Sequence, residues 1–327
     1  MNRFSSDSAA ATSKRNPFLM LLPALVAVTL LTLSLWTIRS QLQTYPLADV
    51  TRSIAAIPRR SLLLAIALTG LNYLVLPLCD ALAVRLLRRP LPVHKTTLAG
   101  AVSYGISNTV GFAVLSDTAV RYRFYSRWAF SAKEVAQIVA FAHFSFWLGL
   151  FTVGGAVFLT EPLTIPPLLK LPFNSVHAAG GVCLSLIFAY VIWNWLGHRS
   201  VRIGKWFLPH IPLPLALLQI AIASLSWLLA VGILFVLLPP MDSLSYYSFF
   251  NIYVLAQLAS IISSVPGGLG VFESVLLLLL SPPMNSASLL GTLLAYRGIN
   301  YFLPLFMSIV LFGLFELGKR LNSVKSP

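Results

Sequence analysis

The chain has 327 residues, 57% of them hydrophobic and only 10% charged, with a mean hydropathy of +0.84; a soluble domain carries about 25% charged residues. Apolar runs of about 20 residues, enough to cross a bilayer, recur from end to end, so the composition excludes an attached soluble catalytic domain and specifies a polytopic membrane protein. The net charge of +14 does not call for nucleic acid, because the basic residues sit in short clusters beside apolar spans, where the cytoplasmic bias of Lys and Arg already accounts for them.

In chain order, a polar tail (1–16) with Lys14 and Arg15 at its end precedes a single helical transmembrane domain (17–318), and a basic tail (319–327) follows it. The first apolar run, Phe18 to Ile38, exceeds a signal-peptide core and ends in WTIRSQ without a small-x-small cleavage pattern, so it reads as an uncleaved span. A second span is expected from Ser61 to Ala83, then a basic patch with Arg85, Arg88, Arg89 and Lys95. Thr97 to Ser116, rich in Gly, Ser and Asn, leads to a second basic patch with Arg121, Arg123, Arg127 and Lys133. Further spans run from Glu134 to Leu159, His177 to Gly197 and Leu213 to Leu238. Tyr246 to Ser281 contains the stretch SSVPGGLGVFE, and Ala287 to Leu317 is the last span. Cys79 and Cys183 lie in apolar segments without metal or CxxC spacing and read as small core residues.

With a cytoplasmic N-terminus most of the 23 Lys and Arg residues fall inside, which predicts N-in and C-in. Both patches flanking Thr97 to Ser116 then lie inside. That segment is expected to be re-entrant, dipping in from the cytoplasm and returning; the alternative is a short conventional span. The opposite half carries a similar break. Tyr246 to Ile262 and Val271 to Leu280 are too long to form one crossing of about 30 Å at 1.5 Å per residue. Pro266, Gly267, Gly268 and Gly270 bend or unwind the helix between them. The pair forms either a hairpin entering from outside or a full span with a short return span. The fold class is therefore an all-α polytopic membrane protein with six to eight transmembrane helices and two broken or re-entrant segments.

The two breaks share a pattern. ISNTVGFAVLSDTAVRYR (Ile106 to Arg123) and ISSVPGGLGVFE (Ile262 to Glu273), the latter followed by AYRGINY, each run Ile-Ser, glycine, acid, Tyr-Arg. Two Gly-interrupted segments, one in each half, fit an inverted repeat with unwound backbone and helix ends facing a polar ligand near the midplane. An ionisable group at bilayer depth costs at least about 2.5–3.5 kcal/mol and normally faces a partner. Glu273 and Arg297 are expected to pair or to share one cavity, as a structural ion pair or as part of a headgroup site; the planar fork of Arg297 suits phosphate. Asp117, Arg121 and Arg123 form the corresponding cluster near the inner face, with Tyr122 and Tyr125 as interfacial rings. Asp80 is expected to meet Arg85 or water, and His143 to be a core histidine. Asn72, Tyr73, Asn108, Asn300 and Tyr301 are expected to hydrogen-bond between helices. No nucleophile elbow, Walker motif, HExxH or His/Cys cluster is present, so no catalytic set, cofactor or metal is called for.

SNTVGF (Ser107 to Phe112), RYRFY (Arg121 to Tyr125), VPGGLGVFE (Val265 to Glu273) and YRGINYFLP (Tyr296 to Pro304) resemble the membrane region shared by lysylphosphatidylglycerol synthase/flippases, the multiple peptide resistance factors, and their stand-alone relatives. The resemblance covers most of the chain in span order. It implies a membrane region that flips aminoacylated phosphatidylglycerol, while a separate cytosolic transferase domain moves lysine from charged tRNA. The chain stops at Pro327, so that domain is expected to be missing, and a separate lipid-modifying transferase becomes a candidate partner beside phospholipid headgroups. Related membrane regions also occur beside lipid-linked glycosyltransferases. Carried over by position, Asn108, Gly111, Asp117, Arg121, Arg123, Gly267, Gly268, Gly270, Glu273, Tyr296 and Arg297 are the expected lipid-binding or translocation residues.

Overall fold

The computed structural model describes residues 47–110, 113–160, 176–197, 201–203, 206–208, 211–241, 244–263, 265, 268–280 and 284–324. The expected first span, Phe18 to Ile38, lies outside them, as do Gly111, Pro266 and Gly267. The helices are α1 (Leu47–Ala55), α2 (Arg59–Val75), α3 (Leu78–Leu86), α4 (Val93–Val110), α5 (Ala113–Tyr125), α6 (Ala132–Thr160) and α7 (Val176–Leu196). After a small antiparallel hairpin, β1 (Val201–Ile203) with β2 (Trp206–Leu208), come α8 (Leu213–Phe235), α9 (Tyr246–Ser263), α10 (Val271–Leu280), α11 (Ser286–Arg297) and α12 (Leu303–Val324). The fold is that of an all-α polytopic membrane protein.

Five of the described helical stretches are long and apolar enough to cross a membrane: Arg59–Leu86, Ala132–Thr160, His177–Leu196, Leu213–Phe235 and Ser286–Gly318. The first joins α2 to α3 across Pro77, which the helix tolerates because Leu76 N–H still reaches Asn72 O at 2.9 Å. The last is broken by a π-helical turn, Gly298–Phe302, which rotates the side chains that follow it. Exposed apolar side chains such as Leu63, Phe188 and Phe306 cover the outer faces of these helices, as a lipid-facing surface requires.

Two helical hairpins interrupt the spans. In the first, α4 and α5 pack antiparallel, with Ala99 and Val102 in one cluster with Phe124 and Tyr125. Its two ends return to one place: Lys95 lies over the Trp128 ring at 5.8 Å, and Arg89, just before α4, lies 3.4 Å from Glu134 in the first turn of α6. The re-entrant reading of this segment therefore holds over the alternative of a single crossing. The dip is helical in both arms and longer than expected, so its backbone satisfies itself along most of its length. Gly105 sets how deeply it seats: a Cβ there would lie 2.2 Å from Ser308 Oγ, so only glycine lets α4 approach α12 so closely.

In the second hairpin, α9 and α10 oppose Ser260 to Gly268 and Tyr253 to Phe272, whose rings are 5.3 Å apart. It enters from the other end. Tyr246 packs on Phe235 at the end of α8 and donates to Leu228 O at 2.6 Å, whereas Leu215, near the start of α8, clusters with Leu82 beside the first basic patch.

Candidate functional site

The two hairpins border one cavity of about 360 Å³. Asn108, Val114, Asp117 and Arg121 line it from the first hairpin, Tyr253, Gln257 and Ile261 from the second, Ala142, His143 and Trp147 from α6, and Asn300 and Tyr301 from the π-turn. Val114 and Trp147 are also exposed on the outer surface, so the cavity opens sideways through an apolar rim.

Its charge comes from one cluster. Arg121, 5% exposed, donates through Nε to Asp80 Oδ2 at 2.8 Å and through Nη2 to Asp80 Oδ1 at 3.0 Å, a bidentate pair from α5 to α3. Tyr125 Oη donates to Asp80 Oδ2 at 3.1 Å. Arg121 Nη1 touches Asp117 Oδ2, one turn earlier on α5, and His143 Nε2 lies 3.2 Å from that oxygen. Both of these nitrogens are buried atoms. Asp80 and Tyr125 depart from expectation. Asp80 is fully buried and meets Arg121, not Arg85 or water, and Tyr125 is buried rather than interfacial. Both follow from the hairpin, which carries α5 back against α3. Tyr122 stays exposed.

The second cluster sits at the other hairpin and does not line the cavity. Glu273 and Arg297 are both buried and pair through Oε1 and Nε. Glu273 Oε2 accepts from Gly270 N at 2.9 Å, which places the carboxylate at the third residue of α10, reaching back to the capping amide in the manner of half a capping box. Arg297 Nη2 reaches Gly268 O at 3.4 Å and its guanidinium lies 5.1 Å from the centre of the Tyr301 ring. Gly268 and Gly270 have φ of +61° and +79°, a region side chains rarely adopt. The pair thus ties the turn between α9 and α10 to the last span. Tyr296 is buried beside it, stacked 6.0 Å from Phe272 and bonded to Tyr253 Oη at 2.8 Å.

The remaining predicted residues divide simply. Asn108, Asp117 and Arg121 come together at the cavity; Gly268, Gly270, Glu273, Tyr296 and Arg297 come together at the second turn. Arg123 belongs to neither. It is half-exposed and forms a bidentate pair with Glu316 on α12 at 2.8 and 3.0 Å. Gly111 and Gly267 lie outside the described residues. Asp80 and His143 complete the cavity cluster. Asp80 carried a usable signal, a carboxylate inside an apolar run, while His143 has no distinguishing neighbours in sequence. Among the described residues no group of three or more His, Cys, Asp or Glu could hold a metal ion.

Over 295 residues the chain is 46% identical to the protein slr0712 of Synechocystis sp., covering 90% of this chain and 92% of that one. It is 27% identical over 271 residues to the inner membrane protein YbhN of Escherichia coli, covering 82% and 84% of the two chains. A phosphatidylglycerol lysyltransferase of Staphylococcus xylosus is 23% identical over 304 residues, covering 91% of this chain and 34% of the relative. The similarity to that enzyme is thus confined to about a third of its length. No family model matches the chain.

Proposed function

The chain belongs to the same family as the Synechocystis protein slr0712, and on that premise we propose that it is an inner-membrane transporter moving a phosphatidylglycerol-like lipid past its two hairpins. The observation that carries this reading is the cavity bordered by the two hairpins, lined by Asp117, Arg121 and His143. A buried charged cluster in an otherwise apolar bundle is costly unless it serves a path or a partner. Its volume falls in the range of small-ligand sites, about 300–1,000 Å³, which suits a headgroup, and the apolar rim at Val114 and Trp147 leaves the acyl chains in the bilayer. The lipid class is suggested by the distant relatives named phosphatidylglycerol lysyltransferase. In this reading the termini are cytoplasmic, Asn108, Asp117 and Arg121 handle the headgroup, and Glu273 with Arg297 holds the second hairpin in place.

Reconstitution into vesicles containing fluorescent phosphatidylglycerol or its lysyl ester tests the proposal. Faster transbilayer movement of at least one of them than in protein-free vesicles is expected, and no acceleration of any lipid would overturn it. Movement that requires a co-reconstituted lipid-modifying transferase would instead make the chain a partner that presents lipid to that enzyme.

A further inference from the structure

The open end of the first hairpin holds two residues in the left-handed region, Arg88 at φ +55° and Ala129 at φ +60°, the only non-glycine residues so placed among those described. Both close a helical turn in the same way. Arg88 N donates to Arg85 O at 2.9 Å and Arg89 N to Val84 O at 3.3 Å; Ala129 N donates to Ser126 O at 3.3 Å and Phe130 N to Tyr125 O at 3.2 Å. These are Schellman turns, whose left-handed position is usually glycine because a Cβ is strained there. Arg89 ties the two turns together. Its Nη2 donates to Ala129 O, and its guanidinium lies 4.9 Å from the centre of the Phe130 ring and 3.4 Å from Glu134.

Around this tie stand Arg85, Arg88, Arg127 and Lys133, all exposed. The carboxylates described at this end, Glu134 and Glu316, are taken by Arg89 and Arg123. Arg127 is fixed in place, since Nη1 donates to Phe315 O at 2.9 Å and the guanidinium lies 4.2 Å from the centre of that ring. The cytoplasmic bias of Lys and Arg depends on how many lie near a span and asks for no fixed geometry. Here the geometry is fixed, and Arg88 holds a strained position that glycine would fill at less cost.

We infer that Arg85, Arg88, Arg127 and Lys133 form a site for the headgroup of an anionic phospholipid at the membrane surface, separate from the cavity, whose wall includes none of them. The inference goes beyond the transport reading and does not need it. Each cation near an anionic membrane surface strengthens binding about fivefold, so four of them make a selective site. The flank of the patch points to lipid as the occupant. Val93 and Tyr122 are exposed beside the cations and Trp128 is partly so, the mixture of ring, aliphatic surface and positive charge that suits a headgroup layer. A soluble acidic segment has no use for such a flank.

The test presents the full-length protein in nanodiscs with brominated phosphatidylglycerol or brominated phosphatidylcholine. Quenching of Trp128, isolated by comparison with Trp128→Phe, reports which lipid lies against the site. Phosphatidylglycerol is expected to quench at a several-fold lower mole fraction, with the preference shrinking as salt is raised. Arg88→Gly removes the charge and relieves the strain together, so it is expected to weaken the preference about fivefold in a protein that unfolds no earlier than the wild type. Ala129→Gly relieves the same strain without touching a charge and is expected to keep the full preference. Wild-type preference in Arg88→Gly would overturn the inference, as would equal quenching by the two lipids or loss of preference in Ala129→Gly. A Trp128 signal that responds to poly-glutamate at physiological salt and to neither lipid would assign the surface to an acidic protein segment and overturn it as well.

Discussion

The two hairpins look alike in sequence, each with glycines, an acid and a Tyr-Arg pair, yet they use their charges differently. In the first, Arg121 is clamped by Asp80 and its Nη1 meets Asp117, and both side chains line the cavity with His143. In the second, Glu273 and Arg297 reach inward to the backbone of their own turn, at Gly270 N and Gly268 O. The difference teaches that a buried ion pair next to a glycine hinge is not by itself a ligand site. What separates the two is whether the paired residues line the cavity, as Asp117 and Arg121 do and Glu273 and Arg297 do not.

The contrast can be broken by substitution. The largest expected effect is that of Arg121→Ala, which leaves Asp80 and Asp117 buried without their cation and should lower stability by about 5 kcal/mol, the upper end for breaking a buried pair. Arg297→Ala strands one carboxylate that keeps the Gly270 amide, so a loss nearer 3 kcal/mol is expected. Reversible unfolding in mixed micelles ranks the two, and an equal or larger cost at Arg297 would erase the distinction between clusters.

Gly268→Ala sharpens the comparison from the side of the turn. Its φ is +61° and a Cβ would stand 2.7 Å from Ser260 Cβ, so both backbone and packing oppose it, at a cost of about 2 kcal/mol. Ser260→Gly is expected to restore part of the loss in the double variant, and no recovery would mean that the packing contact is not the cause. The smallest effect is expected at Arg123, whose bidentate pair with Glu316 is half in solvent; Arg123→Ala should cost less than about 1 kcal/mol and leave vesicle transport unchanged. Loss of transport with that small stability change would return Arg123 to the site.

Much of the fold was legible before any coordinates. The spans near residues 132–160, 176–196 and 213–235 and the arms Tyr246–Ser263 and Val271–Leu280 stand close to where apolar length and glycine placed them. The basic patches on both sides of the first hairpin favoured a segment that returns to its own side over a short conventional span. The partnership of Glu273 with Arg297 was also readable, because two ionisable groups in apolar runs have few places to go. The β-hairpin at 201–208 carried no such signal, being only three residues per strand.

What the sequence by itself determined is the class of molecule, its breaks and its inventory of buried charge, since burial in lipid depends on local hydrophobicity and on the residues that interrupt a helix. Which charge faces which was decided by the tertiary structure alone. Asp80 meets Arg121 across 41 positions, and Gly268 with Glu273 meets Arg297 across 29 and 24. His143 joins the first cluster from a helix that periodicity marks as ordinary core. Those meetings depend on how α4 and α5 fold back and how closely α4 seats on α12 at Gly105. Such helix contacts are short-range and geometric, and no periodicity along one helix encodes the rotation of its neighbour.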